Sequence, residues 1–428
     1  MQTLSRTERD IVVSRLLTRT GDQAWDFAIP LVLTALLPDG IQAAAAYYLV
    51  IRLAQVLIVP RIGALIDRWP RVSVLKLSIG LQTGFMLASL GLVLLMAAAG
   101  SREFSRATEV LWLLPLTIAG LLASLGATLT EIAVANDIVP TVVPPERLAR
   151  VNSRIKQVDL VTEVGAPILA GALMMWQPQL LPLLGFITIA VWNVLSFVPE
   201  FVLLRRVIRG HPALADKRVA VEALPAPLGE RLFSGWRVFF SHAAMPAMLA
   251  YALLWLSVLS PHGLLLAAFL NKGWGLSELT IGMFRGAGAL FGMASTYLYP
   301  VAEKSLGAVK AARTFVLFQA AMILMSVPLF ALGPSSPWGF FAVILLSRIG
   351  LYGFSIGETQ IRQQMIAADE RGRINGFASA LTSVATLGLY GLGVAFATPE
   401  TFVYLVATSA AAVTTAAAVY WRWSCRPR

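Results

Sequence analysis

The stretch Gly63-Ala-Leu-Ile-Asp67-Arg68-Trp-Pro-Arg71 joins two apolar runs, 42–66 and 72–99, through a turn of a few residues. Crossing a hydrocarbon core about 30 Å thick takes about 20 apolar helical residues, and each run is at least that long. A turn this short makes them antiparallel neighbours in one bilayer. The same alternation continues outward in both directions. Breaks at Pro, Gly and charge clusters predict spans near 11–38, 42–66, 72–99, 109–136, 148–176 and 179–206, then 245–270, 277–302, 308–333, 337–366, 372–397 and 401–423.

Composition agrees. Of 428 residues, 57% are hydrophobic and only 13% charged, against roughly 25% charged in a soluble domain, which excludes a soluble enzyme. A net charge of +11 would suggest a nucleic-acid partner in a soluble chain. Here the basic residues fall in short connections, so the excess sets topology and implies no nucleic acid. Arg68, Arg71, Arg147, Arg150, Arg205, Arg206, Arg209, Lys217, Arg218, Arg231, Lys304, Lys310, Arg371 and Arg373 share one side, and only Arg102, Arg106 and Lys272 fall on the other. The positive-inside bias makes the first side cytoplasmic, with both termini there and an even number of spans in a cell (inner) membrane. The opening MQTLSRTERD resembles no cleavable signal. Cys425, the only cysteine, excludes a disulfide framework, a CxxC site or a thiolate cluster. No nucleophile lies beside a base, and neither HExxH nor a phosphate-binding glycine loop occurs, so an enzyme is the weakest reading.

The longest connection, 207–244, carries Pro212, Pro225 and Pro227, then Leu232, Phe233, Trp236, Phe239 and Phe240 at helical spacing. It reads as a cytoplasmic linker ending in an interfacial helix, between six-helix bundles at 1–206 and 245–428. Glu146-Arg-Leu-Ala-Arg-Val-Asn152 before the fifth span and Glu370-Arg-Gly-Arg-Ile-Asn375 before the eleventh occupy equivalent places, the trace of a duplication. Two parallel six-span repeats resemble the major facilitator superfamily, an all-α integral-membrane fold of 12 helices with a midplane substrate cavity. Gly63 to Arg71 resembles that superfamily's signature of glycine, aspartate and paired basic residues. Gly63 would permit close helix packing, and Asp67 can pair with a basic partner on the neighbouring bundle when the cytoplasmic side is closed. The alternative is a generic basic loop.

A charge at the bilayer centre costs on the order of 3 kcal/mol, so ionisable residues within spans are functional candidates. Thr18, Asp22 and Asp26 recur every four residues on one face of the first span, with Gly21 beside them. Two carboxylates there call for a counter-charge: Arg52 of the second span, protons or a divalent cation. The sixth span supplies Asn193, Ser196, Phe197 and Glu200 on one face, and the third supplies Gln82. Their oxygens suit a hard or borderline divalent ion. Spacing alone leaves a cation site, a buried polar network and a proton relay all open.

The segment Thr20-Gly-Asp22-Gln-Ala-Trp25-Asp-Phe27-Ala28, followed by the motif at Gly63, resembles the opening of ferroportins, the iron-efflux branch of the superfamily. The likeness continues through Asn136-Asp137-Ile-Val, Arg150-Val-Asn152 to Asp159, Trp192-Asn193-Val-Leu-Ser196, Leu346-Ser347-Arg348-Ile-Gly-Leu351 and Glu370 to Gly376, nearly the whole chain. It implies an exporter of Fe²⁺, and of Co²⁺, Ni²⁺ and Mn²⁺, working by alternating access as a monomer, compatible with proton counterflow and Ca²⁺ modulation. On that resemblance Asp22, Asn193 and Ser196 match metal ligands, joined here by Thr18 and Phe197. Asp22, Gln82, Asn193 and Glu200 match a calcium site, and Asp67, Asp137, Asn152, Asp159, Arg371 and Gly372 match a cytoplasmic gate.

The second half departs from the family pattern. Gly263 and Leu389 stand where vertebrate ferroportins carry a cysteine and a histidine for a second metal site, and Asp26 replaces a histidine beside the first-span aspartate. What remains is His262, after the helix-breaking Pro261, and Glu358 in the tenth span. Both are candidate metal ligands, with structural or proton-carrying roles as the alternatives. Loss of the cysteine argues against control by the vertebrate peptide hormone and for a bacterial homologue. The rival transporter reading is a proton-coupled multidrug or lipid exporter with Asp22 and Asp26 as protonation sites; a metal-sensing receptor without flux is the rival from another class.

Overall fold

The computed structural model describes residues 4–37, 40–100, 104–175, 183–214, 236–261, 263–335, 337–396, 398 and 400–426. His262 and Arg102 lie outside the described residues, as do Lys217, Arg218, Pro225, Pro227, Arg231, Leu232 and Phe233 of the linker. The first half is built from α1 (Arg6–Leu36), α2 (Gly40–Arg68), α3 (Arg71–Ala98), α4 (Arg106–Val142), α5 (Pro145–Met175) and α6 (Leu184–Arg209). The second half holds α7 (Met245–Leu254), α8 (Leu264–Lys272), α9 (Glu278–Leu306), α10 (Ala308–Ala331), α11 (Pro337–Met365), α12 (Arg371–Ala395) and α13 (Phe402–Ser424).

Among the described residues nine helices are long and apolar enough to cross a bilayer. With α1, whose Asp22, Gln23 and Asp26 lower its hydropathy, α9, and the broken seventh span formed by α7 and α8, the chain makes twelve crossings. Its surface is inverted relative to a soluble protein. Leu111, Leu114 and Ile118 form an exposed stripe on α4, while Ser78 and Asn193 are fully buried. That is the pattern of a chain whose outer solvent is lipid.

α1 starts at Arg6 rather than near 11, because Ser5 and Glu8 form a reciprocal cap: Glu8 N–H donates to Ser5 Oγ at 3.2 Å and Ser5 N–H to Glu8 Oε2 at 2.8 Å. The seventh span, expected near 245–270 with a helix break at Pro261, opens between Leu254 and Leu264. Pro261 supplies no amide proton and disfavours helix before it. The freed backbone finds partners inside the protein: Val258 N–H donates to Ser409 Oγ at 2.8 Å, and buried Arg348 donates to the Leu259 carbonyl at 2.9 Å. Internal partners of this kind make unwound backbone tolerable at membrane depth. α4 contains a second irregularity, a π-helical turn over Ala133–Ile138 that carries Asn136 and Asp137.

Packing divides the chain into two compact units. The first comprises Met1–Pro144, Val161–Leu224 and Ala368–Gly376; the second comprises Pro145–Leu160, Pro225–Ala367 and Phe377–Arg428. In the first, α1 packs on α6 and α2, and α3 on α4, with Trp25 stacked on Phe186 at 4.9 Å. In the second, α10 packs on α11 and α13, and α9 on α11, with Phe269 stacked on Phe402 at 4.0 Å. Residues 236–241 are helical, and Trp236 meets Phe377 of the second unit at 4.8 Å. The two duplicated segments, 146–152 and 370–375, each begin a helix that changes unit along its length, α5 after Leu160 and α12 after Gly376.

Candidate functional site

The first-span candidates lie on α1 within the first unit. Thr18 is buried and its hydroxyl donates to the Ser14 carbonyl at 3.0 Å, with Glu200 of α6 also within hydrogen-bonding reach. Asp22 is half-buried, one turn further on. Gly21 explains how α6 comes so close: a methyl group there would overlap the Asn193 carboxamide and sit 3.2 Å from the Asn193 Cα. Asp26 is exposed, with Arg52 and Arg19 as its electrostatic neighbours, and its backbone carbonyl accepts from Tyr48 at 2.8 Å.

On α6, Asn193 is wholly buried, and among the described residues neither its Oδ1 nor its Nδ2 has a hydrogen-bond partner. The Gln82 carboxamide of α3 is in the same condition, as is Glu200 Oε2. Ser196 is buried and donates to the Asn193 carbonyl at 2.7 Å. Phe197 belongs to the hydrophobic core around Trp25 and Ile29. A buried polar atom without a partner costs about 1–3 kcal/mol, and most such atoms in native proteins are satisfied. Several together in one unit mark a place built to meet something other than protein.

A cavity of about 30 Å³ is lined by Thr18, Asp22 and Glu200, and also by Thr130 and Glu131 of α4, while Asn193, Gln82, Ser196 and Phe197 are not among its lining residues. One water needs about 10–15 Å³ by this measure, so the space fits a small ion with part of its hydration. Arg15 and Arg19 line it too, and Arg15 pairs with Glu131 at 3.3 Å. Among the described residues no three His, Cys, Asp or Glu side chains converge at metal-binding distance. A cation here must therefore draw on amide and hydroxyl oxygens as well as carboxylates.

In the second unit Glu358 is buried on α11. One carboxylate oxygen is ion-paired with Arg362 Nε of the same helix at 2.8 Å, and the other has no hydrogen-bond partner among the described residues. Gly263 precedes α8, and Leu389 packs against the apolar core.

The residues matched to a gate separate into two groups. In the first unit, Asp67 accepts from the backbone N–H groups of Gly372 at 2.6 Å and Arg373 at 2.7 Å. Those amides are in the first turn of α12, where N–H groups have no intrahelical acceptor and the helix dipole favours an anion. The sequence anticipated a basic partner for Asp67; Arg371 is an electrostatic neighbour, and the carboxylate also accepts from a helix terminus. Gly63 and Gly372 make this approach possible, since a Cβ on Gly372 would sit 2.7 Å from Ile66 Cβ and 2.9 Å from Asp67 Oδ1. Arg71 forks onto both oxygens of Asp137 at 2.8 and 2.9 Å and also donates to the Leu214 carbonyl at 2.8 Å. Arg371 donates to Thr141 at 2.9 Å. In the second unit, Asn152 and Gln363 exchange reciprocal amide bonds at 2.7 and 3.1 Å, and Asp159 is half-buried further along α5.

Sequence reasoning missed Thr130 and Glu131, the Asn152–Gln363 exchange and the carbonyl of Leu214 as an Arg71 acceptor. Glu131, an acid inside an apolar run, carried a usable signal. The others depend on which helices meet.

A family model described as Ferroportin1 matches residues 5–413. A protein named Ferreportin from Bdellovibrio bacteriovorus is 43% identical over 430 residues, which is 100% of this chain and 96% of that protein. A solved structure described as a bacterial homologue of the iron transporter ferroportin in the outward-facing state is 41% identical, with a TM-score of 0.88 over 99% of this chain and 100% of that one. The proton:xylose symporter XylE, of the major facilitator superfamily, is 14% identical with a TM-score of 0.67 over 97% of this chain and 95% of its own, a likeness of fold alone.

Proposed function

The chain belongs to the ferroportin family, and from that premise we propose that it exports ferrous iron and related divalent transition metals from the cytoplasm by alternating access. The observation that carries this reading is the Asn193 carboxamide, buried against Gly21 next to Asp22 with neither polar atom hydrogen-bonded among the described residues. A divalent cation between Asp22 and Asn193 would satisfy the carboxamide oxygen and offset the carboxylate. Ser196 and Thr18 are the supporting oxygens, and no nitrogen or sulfur ligand is needed on this side.

The contacts of Asp67 with the first turn of α12, and of Arg71 with Asp137, close the cytoplasmic side in this scheme. Their release admits metal to Asp22. Protons compete with metal for the same carboxylates, so inward proton flow can accompany outward metal flow, and Ca²⁺ binds the overlapping set of Asp22, Gln82, Asn193 and Glu200. The protein works as a monomer in the cell (inner) membrane with both termini cytoplasmic, which the distribution of Arg and Lys supports. His262 and Glu358 are the candidate ligands of the second half.

Flux of Fe²⁺ and Co²⁺ into or out of proteoliposomes tests the assignment. Asp22→Ala and Asn193→Ala should each lower flux at least about tenfold, the effect of losing about 1.4 kcal/mol of metal binding, and His262→Ala should lower it less. Full transport by both the Asp22 and Asn193 variants would remove the basis for this site.

A further inference from the structure

A hydroxyl that belongs to none of the matched motifs faces the same cavity. Thr130 of α4 is 5% exposed, and its Oγ has no hydrogen-bond partner among the described residues. Threonines inside helices ordinarily relieve themselves on the carbonyl four residues back, and this chain does so repeatedly. Thr18 donates to Ser14, Thr117 to Leu113, Thr128 to Ser124 and Thr141 to Asp137, all at 2.7 to 3.0 Å. Thr130 declines that bond and lines the cavity with Asp22, Glu200 and Thr18.

The second observation is Glu200. It is 2% exposed, and its Oε2 has no hydrogen-bond partner among the described residues. Two buried, unpartnered oxygens thus come from different helices, α4 and α6, to one small cavity that Asp22 also lines. The arginines there do not cancel the demand for a cation: Arg15, paired with Glu131, also bears on Asp22 and Glu200, and Arg19 bears on Asp22, so two guanidinium groups face three carboxylates. Apart from the two arginines, the polar side chains lining the cavity offer only oxygen. Such a donor set favours a hard divalent cation, and Ca²⁺ in particular collects six to eight oxygens where a first-row transition metal is content with fewer.

Resting on the cation-site reading above, we propose that the Thr130 hydroxyl is a further ligand of the cation bound by Asp22 and Glu200, contributed by a fourth helix and biasing the site toward Ca²⁺ over transition metals. The neutral hydroxyl raises the ligand count without adding charge, which matters most to the cation needing most oxygens.

The test is calorimetric titration of the purified full-length protein with Ca²⁺ and, separately, Co²⁺. Thr130→Val, which keeps the shape and removes the oxygen, should weaken Ca²⁺ binding about tenfold and Co²⁺ binding by no more than about threefold, and Thr130→Ser should stay within about twofold of the parent. Asp22→Ala should abolish Ca²⁺ binding and the share of Co²⁺ binding that belongs to this site. Wild-type Ca²⁺ affinity in the valine variant, with binding lost in Asp22→Ala, overturns the role of Thr130 and leaves the cation site standing. Wild-type affinity in Asp22→Ala overturns the site reading and this inference with it. Equal weakening for both cations refutes the bias. Melting without cation checks folding; should the valine variant not fold, Thr130→Ala takes its place in the same titration.

Discussion

Replacing Asp67 by alanine removes two hydrogen bonds at once, because its carboxylate accepts from Gly372 N–H at 2.6 Å and Arg373 N–H at 2.7 Å. Bonds to a charged group contribute about 1.5–3 kcal/mol each. Asp67 is half-buried and the freed amides are at a helix terminus that water can reach, so the lower figure applies. Two bonds at about 1.5 kcal/mol give about 3 kcal/mol, with the helix-dipole attraction of about 0.3–1 kcal/mol already inside that sum. At 1.4 kcal/mol per factor of ten, the arrangement in which α12 rests on Asp67 loses about a hundredfold in population against one in which it does not. Asp67→Asn keeps one good acceptor and should lose about tenfold. Spin labels at Arg68→Cys and Asp369→Cys, both exposed positions, read this in a Cys425→Ser background, Cys425 being the chain's only cysteine. Pulsed electron resonance should show a longer-distance population in Asp67→Asn that becomes the majority in Asp67→Ala. An unchanged distance distribution together with unchanged metal flux in the alanine variant would refute the reasoning.

Two further outcomes follow from close contacts. Gly21→Ala drives a methyl into the Asn193 carboxamide; it should reduce Co²⁺ affinity about tenfold or more, comparable with Asn193→Ala, while leaving the fold intact by circular dichroism. Arg71 and Asp137 are 8% and 1% exposed, and breaking a buried pair from one side costs about 3–5 kcal/mol. Asp137→Asn should therefore lower thermal stability markedly, and the joint replacement Arg71→Met with Asp137→Leu should recover much of the loss. A double variant no more stable than Asp137→Asn would show that the fork onto Asp137 is not where the energy lies.

How much of this was legible beforehand varied with the range of the interaction. Spans such as 72–99 and 308–333 were visible as apolar runs, and α3 and α10 follow them to within a few residues, since helix length in a bilayer is dictated by local hydropathy. Pro261 announced a break, yet its extent depended on Ser409 and Arg348 accepting and donating to the freed backbone. The face shared by Thr18, Asp22 and Asp26 was readable from a period of four. That Asn193 would be pressed on Gly21 was not, because two helix surfaces far apart in the chain had to meet. The π-helical turn at Ala133–Ile138 left no trace in composition, and Asp137 owes its place to it.

The sequence by itself determined a twelve-span membrane protein of the ferroportin family, and it nominated residues for a candidate site and gate. Hydropathy, charge asymmetry and short ordered motifs are local properties, and a bilayer turns them into topology without further information. Only the tertiary structure decided which side chains meet. It gave Asp67 to the amides of a helix terminus and Asn152 to Gln363, left the Asn193 and Gln82 carboxamides without hydrogen-bond partners among the described residues, and brought Thr130 to the cavity of Asp22 and Glu200. The physical reason is that hydrogen bonds and close packing act over a few ångströms, and such proximity between distant segments exists only once the helices have packed.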